Sequence, residues 1–232
     1  METFIASDGK AYAEADVAFI KKLQKLGSGF KYSNDVEQQV GNLIQSCYPV
    51  LKFSDLTTGK NADYDYKLAG IPIEQKLSAM NSNKTNHMFK ITLEYERNDG
   101  RPSGISLSKS DAYLYITPGY NGATNTLVGK LRLFPVAALK QKVQEQIQAG
   151  NVISFGKPDR NSGSKNVEFT SKDIPQIWLG DVPAVIENAE DMEKRKVVGY
   201  VFKNFTQYNM RLEKKLFFAD TPFSLDGFYE KD

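Results

Sequence analysis

Three residues near the middle of the chain have the types and the spacing of a metal-dependent phosphate site. They are Asp65, Glu74 and Lys76, in the stretch GKNADYDYKLAGIPIEQKLSAM. If the Ala-Gly pair between them forms a two-residue turn, the stretch is a β-hairpin in which Asp65 lies opposite Glu74. Two opposed carboxylates repel each other, and a divalent cation between them reverses the sign of that interaction. Lys76 lies two residues beyond Glu74 and therefore on the same face of the strand.

The ligand types restrict the kind of metal. The chain has one histidine, His87, and one cysteine, Cys47, so a Cys/His zinc site within one chain is excluded. Oxygen ligands suit Mg²⁺, for which Mn²⁺ is expected to substitute. A lysine beside such a site orients a water molecule or stabilises charge that develops on a phosphate. The alternative is a solvated strand, since Asp/Glu-x-Lys also occurs elsewhere in the chain.

The segments around this hairpin make the chain resemble the PD-(D/E)XK nuclease superfamily, most closely its small phage- and resolvase-type members. The resemblance covers about residues 33–117. It rests on NDVEQQVGNLI, DYDYKLAG, IEQK, ITLEYER and RPSGISLSKSDAYLYI. It implies a restriction-endonuclease-like core, in which a mixed central β-sheet is flanked by helices, and Mg²⁺-dependent hydrolysis of DNA.

The resemblance also implies roles for individual residues. Asp65, Glu74, the helix glutamate Glu37 and the backbone carbonyl of Gln75 would bind the metal, and Lys76 would position the attacking water. The chain departs from the family pattern because no proline precedes the aspartate.

A second aspartate therefore competes for the role of Asp65. In the hairpin register Asp63 pairs with Lys76 and lies on the same face. Asp65 is preferred because it lies opposite Glu74.

Glu37 has two interpretations that stay open in the sequence. A helix is expected from Ser33 or Asn34, ending before Pro49. Glu37 follows Asn34 by three residues, which is the spacing of a capping box as well as a position for a metal ligand. The inward stripe of this helix is predicted to be Val36, Val40, Leu43, Ile44 and Cys47.

Basic and small polar residues follow the motif closely and are candidates for binding phosphates. The predicted DNA contacts are Lys84, Arg97, Arg101, Ser103 and Lys109, with Lys90 nearby. His87 is expected in a solvated loop, and Glu94 on the polar face of its strand. The aromatic residues Tyr113, Tyr115 and Tyr120 are expected to pack in the core.

Periodicity predicts one α/β domain over residues 1–232, with the nuclease core at about 33–135 and a C-terminal elaboration. Beyond residue 175 the pattern is weak. Helices are expected at 14–27, 33–48 and 136–150, and strands at 87–97, 110–117, 127–136, 151–157 and 165–171.

Composition and targeting signals indicate a cytoplasmic, intracellular protein without a membrane span. The net charge is only +2, which neither indicates nor excludes a nucleic-acid partner. The stretch METFIASDGKAYAEAD lacks the basic start and the apolar core of a signal peptide, and no run of about 18 apolar residues occurs, so neither a signal peptide nor a membrane span is expected. GATNTLVGKL lacks the spacing of a phosphate loop, so no nucleotide cofactor is expected.

The sequence therefore predicts a Mg²⁺-dependent deoxyribonuclease whose partner is DNA, with a homodimer left open. Two alternatives stay open: a sequence-specific type II restriction endonuclease of the same superfamily, and a non-catalytic DNA-binding protein with a decayed nuclease site.

Overall fold

The computed structural model describes residues 5–6, 30–49, 51–57, 63–77, 90–121, 123–124, 126–156, 163–187 and 196–207. Within these ranges the chain forms two β-sheets and two α-helices. The helices are α1 (Phe30–Cys47) and α2 (Val136–Gln148). The strands are β1 (Ile5–Ala6), β2 (Phe53–Ser54), β3 (Tyr66–Leu68), β4 (Ile71–Leu77), β5 (Lys90–Arg97), β6 (Ala112–Tyr120), β7 (Leu127–Pro135), β8 (Val152–Phe155), β9 (Ser164–Thr170), β10 (Ile177–Glu187), β11 (Lys196–Tyr200) and β12 (Thr206–Gln207).

The larger sheet, called here the main sheet, has nine strands and a mixed topology. Its order is β1-β10-β7-β6-β4-β3-β2, and β11 and β12 also pair with β10. Among the described strands of this sheet, β4 and β6 alone run parallel, from Ile73 opposite Ala112 to Leu77 opposite Ile116. The expected α/β architecture with a mixed central sheet is confirmed at this level. The main sheet also extends beyond residue 135, because β10 pairs with β7.

The central strand β6 is buried on both faces. Leu114 and Ile116 lie in the core cluster on one side of the main sheet, and Tyr113 and Tyr115 lie in the cluster on the other. A strand covered on both faces has a nearly continuous apolar sequence, and AYLYITPGY follows that rule. The expected packing of the two tyrosines is confirmed.

Helix α1 covers the first of these faces. Val36, Val40 and Ile44 are buried there, while Leu43 and Cys47 are partly buried against the same core, so the predicted stripe is confirmed.

The predicted start of α1 is wrong. The helix begins at Phe30, so Ser33 and Asn34 lie within it and neither is its N-cap. The capping-box interpretation of Glu37 is therefore excluded, because Glu37 lies about two turns inside the helix.

The opposite face of the main sheet is covered by α2 and by a three-stranded antiparallel sheet of order β5-β9-β8, called here the second sheet. The predicted alternation of β5 is confirmed, because Ile91 and Leu93 are buried, Tyr95 packs against the same core, and Thr92 is exposed. A separate second sheet was not expected from the sequence. The predicted helix at 14–27 and the strand start at 87–89 lie outside the described residues.

Strand β10 was not predicted. Its sequence IWLGDVPAVIE contains Gly180 and Pro183, which weaken a strand pattern. The register with β7 shifts between Trp178 and Gly180, as in a β-bulge, and this irregularity also breaks the two-residue period.

Among the described residues, no helix is long and apolar enough to cross a membrane.

The hairpin that carries the candidate site forms as predicted around its turn. Tyr66, Lys67 and Leu68 pair with Ile73, Pro72 and Ile71 respectively. Both turn residues have positive φ, 50° at Ala69 and 84° at Gly70, which matches the tight turn preferred between twisted antiparallel strands. Alanine is strained in this conformation, whereas asparagine adopts it readily.

We expect Ala69→Asn to raise the free energy of unfolding by about 0.5–1 kcal/mol, because asparagine relieves the strain at the first turn position. Urea unfolding of the variant and the wild-type protein measures this difference. Ala69→Val is the matched control and should destabilise, since a β-branched residue tolerates positive φ poorly. Equal free energies of unfolding for Ala69→Asn and the wild-type protein would show that the turn is not strained.

Candidate functional site

A cleft of about 850 Å³ opens between the main sheet and the second sheet. On the main-sheet side it is lined by Glu74 and Lys76 of β4 and by Tyr113, Tyr115 and Thr117 of β6. The parallel pairing aligns these residues, because Glu74 is in register with Tyr113, and Lys76 with Tyr115. Residues in register lie on the same face of a sheet, so the predicted Glu74-x-Lys76 pair points into the cleft.

The other side of the cleft is formed by polar residues of the second sheet. Thr92 and Glu94 of β5 are paired with Glu168 and Asn166 of β9, and all four line the cleft. The apolar residues that alternate with them pack towards α2. Glu94, expected on the polar face of its strand, is thus a cleft residue.

Lys76 is held as a cation beside Glu74. Its ammonium forms an ion pair with the Glu74 carboxylate and lies 5.5 Å from the centre of the Tyr113 ring. Burial lowers the pKa of Lys76, but the Glu74 carboxylate, with smaller contributions from Tyr113 and Asp65, more than offsets this effect, and the resulting pKa is raised. Lys76 therefore donates protons in hydrogen bonds at neutral pH and does not act as a base.

Asp65 lies directly before β3, where the ladder of the hairpin ends. Its Oδ2 accepts a hydrogen bond of 2.6 Å from the backbone N–H of Gln75, and its own N–H donates to the carbonyl of Ile73 at 2.8 Å. The last paired residues are Tyr66 and Ile73. Asp65 is thus close to Glu74 without being its direct partner in the ladder, contrary to the register expected from the sequence.

The pKa of Asp65 is raised from 3.8 to about 7. Burial is the largest cause, the Glu74 carboxylate is the second, and Glu37 adds to both. The Gln75 N–H and Lys76 lower the pKa but do not compensate. Burial and the neighbouring carboxylates together therefore outweigh the stabilisation that the Gln75 N–H and Lys76 give to the charged form of Asp65.

Glu37 approaches this charge from the helix side of the main sheet. It is only 3 % exposed, although it is ionisable, and it acts on the pKa of both Asp65 and Tyr66. With the cap interpretation excluded, its position near Asp65 favours the role that the resemblance implied.

Gln75 forms hydrogen bonds through both its backbone and its side chain. Its N–H serves Asp65, and its side-chain Oε1 accepts a hydrogen bond of 2.8 Å from the hydroxyl of the fully buried Tyr66. These two bonds join the strand segment around Gln75 to Tyr66 of β3 and to the residue before it.

Asp63 has a different partner from the one predicted. Its carboxylate forms an ion pair of 3.0 Å with Lys109, and no strand pairing extends to Lys76. The prediction of an Asp63–Lys76 pair is wrong because the ladder ends three residues further on. Asp63 lies at the cleft with half of its side chain exposed.

The predicted DNA contacts are dispersed. Arg101 binds Asp99, with Nε 2.9 Å from the carboxylate, on the turn that follows β5. Ser103 is buried and its N–H donates to the carbonyl of Tyr95 at 3.0 Å. Arg97 is exposed at the end of β5. Lys84 and His87 lie outside the described residues.

Two lysines remain near the cleft. Lys90 lines it and is paired with Glu168, and Lys109 is paired with Asp63 at its edge. Both ion pairs are partly exposed, and a phosphate group would compete for these cations.

The donor set fits a hard divalent cation in its chemistry. Among the described residues, no group of three or more His, Cys, Asp or Glu side chains is arranged to hold a metal ion. Asp65, Glu74 and the Gln75 carbonyl are oxygen donors, and Mg²⁺ usually keeps several waters, so few protein ligands suffice. Glu74 and Glu37 both raise the pKa of Asp65, so these carboxylates lie close enough to interact with it.

Comparisons of the chain with protein-family models, with curated proteins and with solved structures found no match. The resemblance to nucleases therefore depends on the motif and on the arrangement described above.

We expect Asp65→Asn to raise the melting temperature in EDTA at pH 8. The carboxyl ionises near pH 7 in the folded chain and near its ordinary 3.8 when unfolded. Ionisation therefore costs folding free energy that is absent below about pH 4 and fully present above about pH 7. Asparagine removes this cost and still accepts the Gln75 hydrogen bond. The gain should be at least about 1 kcal/mol, since a pKa change of one corresponds to about 1.4 kcal/mol.

Thermal unfolding at pH 4 and pH 8 tests the electrostatic origin, because the gain should vanish at pH 4. Asp99→Asn is the control, since Arg101 lowers the pKa of Asp99 and its removal should not stabilise. An equal gain for Asp65→Asn at both pH values would contradict the explanation.

Proposed function

We propose that the protein is a metal-dependent deoxyribonuclease that hydrolyses phosphodiester bonds at the site formed by Asp65, Glu74 and Lys76. The observation that carries this proposal is the placement of Glu74 and the protonated Lys76 at one side of an open cleft, beside the buried carboxyl group of Asp65, whose pKa is raised to about 7. The cytoplasm is the proposed location.

The proposed ligands of Mg²⁺ are Asp65, Glu74 and the backbone carbonyl of Gln75, with Glu37 beside them. When bound, the cation would polarise the scissile phosphodiester and stabilise the leaving oxygen. The effect of Glu74 and Glu37 on the pKa of Asp65 supports this assignment, because it places the three carboxylates near one another.

Lys76 is the positively charged side chain of the proposed site. Its ion pair with Glu74 and its contact with the Tyr113 ring hold the ammonium at the cleft surface. From there it donates hydrogen bonds to the attacking water and to a phosphate oxygen as negative charge develops.

The arrangement of elements supports the same family. Helix α1, the hairpin of β3 and β4, and the parallel strand β6 occur in the chain order that the resemblance implies, whereas ITLEYER, which also carries the resemblance, forms β5 of the second sheet. We propose that these elements form the restriction-endonuclease-like core and that the second sheet is an addition to it.

The two alternatives make different predictions in one assay. Linear, circular, single-stranded and branched DNA are incubated with Mg²⁺, Mn²⁺ or EDTA. A general nuclease cuts with either metal, and a type II restriction endonuclease gives discrete fragments from one sequence. A decayed site binds DNA and leaves every substrate intact, which would refute the proposed activity.

We expect Glu74→Gln and Asp65→Asn each to abolish cleavage while DNA binding is kept or strengthened. Each change removes a metal ligand and also removes repulsion between the carboxylate and the phosphates. Cleavage rates are measured in buffers of fixed free Mg²⁺, and binding is measured in EDTA. Asp99→Asn, outside the cleft, serves as the control and should cut like the wild type. Full activity of Glu74→Gln would refute the site.

We expect Lys76→Ala to lower kcat by at least about 100-fold, with KM and metal affinity near the wild-type values. Lysine donates and does not accept hydrogen bonds, so it is not a ligand, and its contribution falls in the transition state. Single-turnover kinetics and calorimetric Mg²⁺ titration separate the two effects. Loss of metal binding in Lys76→Ala would contradict this role.

A further inference from the structure

The row of side chains that contains Lys76 continues across the main sheet beyond the cleft. Lys76 is in register with Tyr115 on β6, and Tyr115 is in register with Arg132 on β7. Arg132 is in turn in register with Trp178 on β10. Neighbouring strands are about 4.8 Å apart, so Trp178 lies on the same sheet face as Lys76, about 14 Å away.

Trp178 is an exposed aromatic residue that is supported by two buried cations. The Lys130 ammonium lies 4.7 Å and the Arg132 guanidinium carbon 5.2 Å from the centre of its ring. These residues are 5 % and 2 % exposed, whereas Trp178 is 42 % exposed. Cation–π contacts from β7 thus fix an indole ring at the surface. A ring that is already fixed loses little conformational freedom when a second planar group stacks on it.

Thr117 of β6 lies beside the row of side chains that joins Lys76 to Trp178. It lines the cleft, is in register with Lys130, and is only 7 % exposed. Within the described part of the chain its hydroxyl has no hydrogen-bond partner. The hydroxyl oxygen is itself buried, so Thr117 enters the proposal by its position in the floor of the cleft and not by a contact with phosphate.

We propose that Trp178 is a stacking platform for one unpaired nucleobase of a single-stranded segment, whose backbone passes Thr117 on its way to Lys76. The position of the cut rests on the proposed function, whereas the binding of the base does not. The base must be unpaired, because in a duplex both of its faces are already stacked. The protein would therefore prefer substrates with a single strand a few nucleotides from the scissile phosphate.

Trp178 is the single tryptophan of the chain, so its fluorescence reports on this position directly. We expect a 12-nucleotide oligo(dT) to quench the emission on binding in EDTA, where no cleavage occurs. A duplex of the same length should quench much less. Saturating single-strand binding without a change of emission would overturn the proposal, and so would a failure of the wild-type protein to bind the oligonucleotide.

Three substitutions test how much Trp178 contributes to single-strand affinity, which is measured by fluorescence anisotropy of labelled oligo(dT). Trp178→Leu, which keeps apolar volume but no aromatic plane, should weaken single-strand binding about tenfold. Trp178→Phe should lose threefold or less. Phe155→Ala is the matched control, since Phe155 is an aromatic residue of β8 that is 51 % exposed, and it should bind like the wild type.

Equal affinity of Trp178→Leu and the wild type for oligo(dT) would overturn the stacking role. Equal weakening by Trp178→Phe and Trp178→Leu would also overturn it, because it would show a loss of packing. Failure of the nuclease assay alone leaves these binding results unaffected, so the two proposals fail separately.

Discussion

The parallel pairing of β4 with β6 is the constraint on which the rest of the structure depends. Parallel neighbours cannot be joined by a tight turn, so the chain must leave the main sheet after Leu77 and return at Ala112. Strand β5 lies within this crossover and becomes one edge of the second sheet. Both sides of the cleft thus follow from one pairing: β4 and β6 form one side in register, and the connection between them supplies part of the other.

The charges of the site are distributed over three layers. Glu74 and Lys76 project into the cleft, Glu37 belongs to the helix layer behind the main sheet, and Asp65 lies at the strand end between them. Because the carboxylates come from different layers, they cannot relax away from one another without disturbing the packing of α1 or the hairpin. The burial that chiefly raises the pKa of Asp65, and the repulsion by Glu74 and Glu37 that adds to it, are therefore maintained by the hydrophobic cores on both faces of the main sheet.

Local features of the fold were predictable from the sequence, and features that depend on distant pairing were not. The hairpin was predictable from its turn residues. The shared face of Glu74 and Lys76 was predictable from their two-residue spacing. Strand β10 was missed because a bulge, a glycine and a proline interrupt its period. The Asp63–Lys109 pair joins residues 46 positions apart, which no spacing rule connects. Lys130 and Arg132 alternate with apolar residues in LVGKLRLFP, a pattern typical of a strand with one solvated face, although both are buried.

The two sides of the cleft differ in how well they tolerate amino-acid substitutions. Strand β6 has apolar or aromatic partners on both faces, so a substitution at Tyr113 or Tyr115 also alters the core. On the second sheet, Thr92 is exposed and Glu94 and Glu168 are only partly buried, and the residues that support them point the other way, towards α2. Evolutionary drift in this lineage, or a library built by an engineer, therefore has room on one side of the cleft and almost none on the other. Changes in the chemistry of the cleft would therefore arise on the second sheet, while the side that carries Glu74 and Lys76 stays nearly constant.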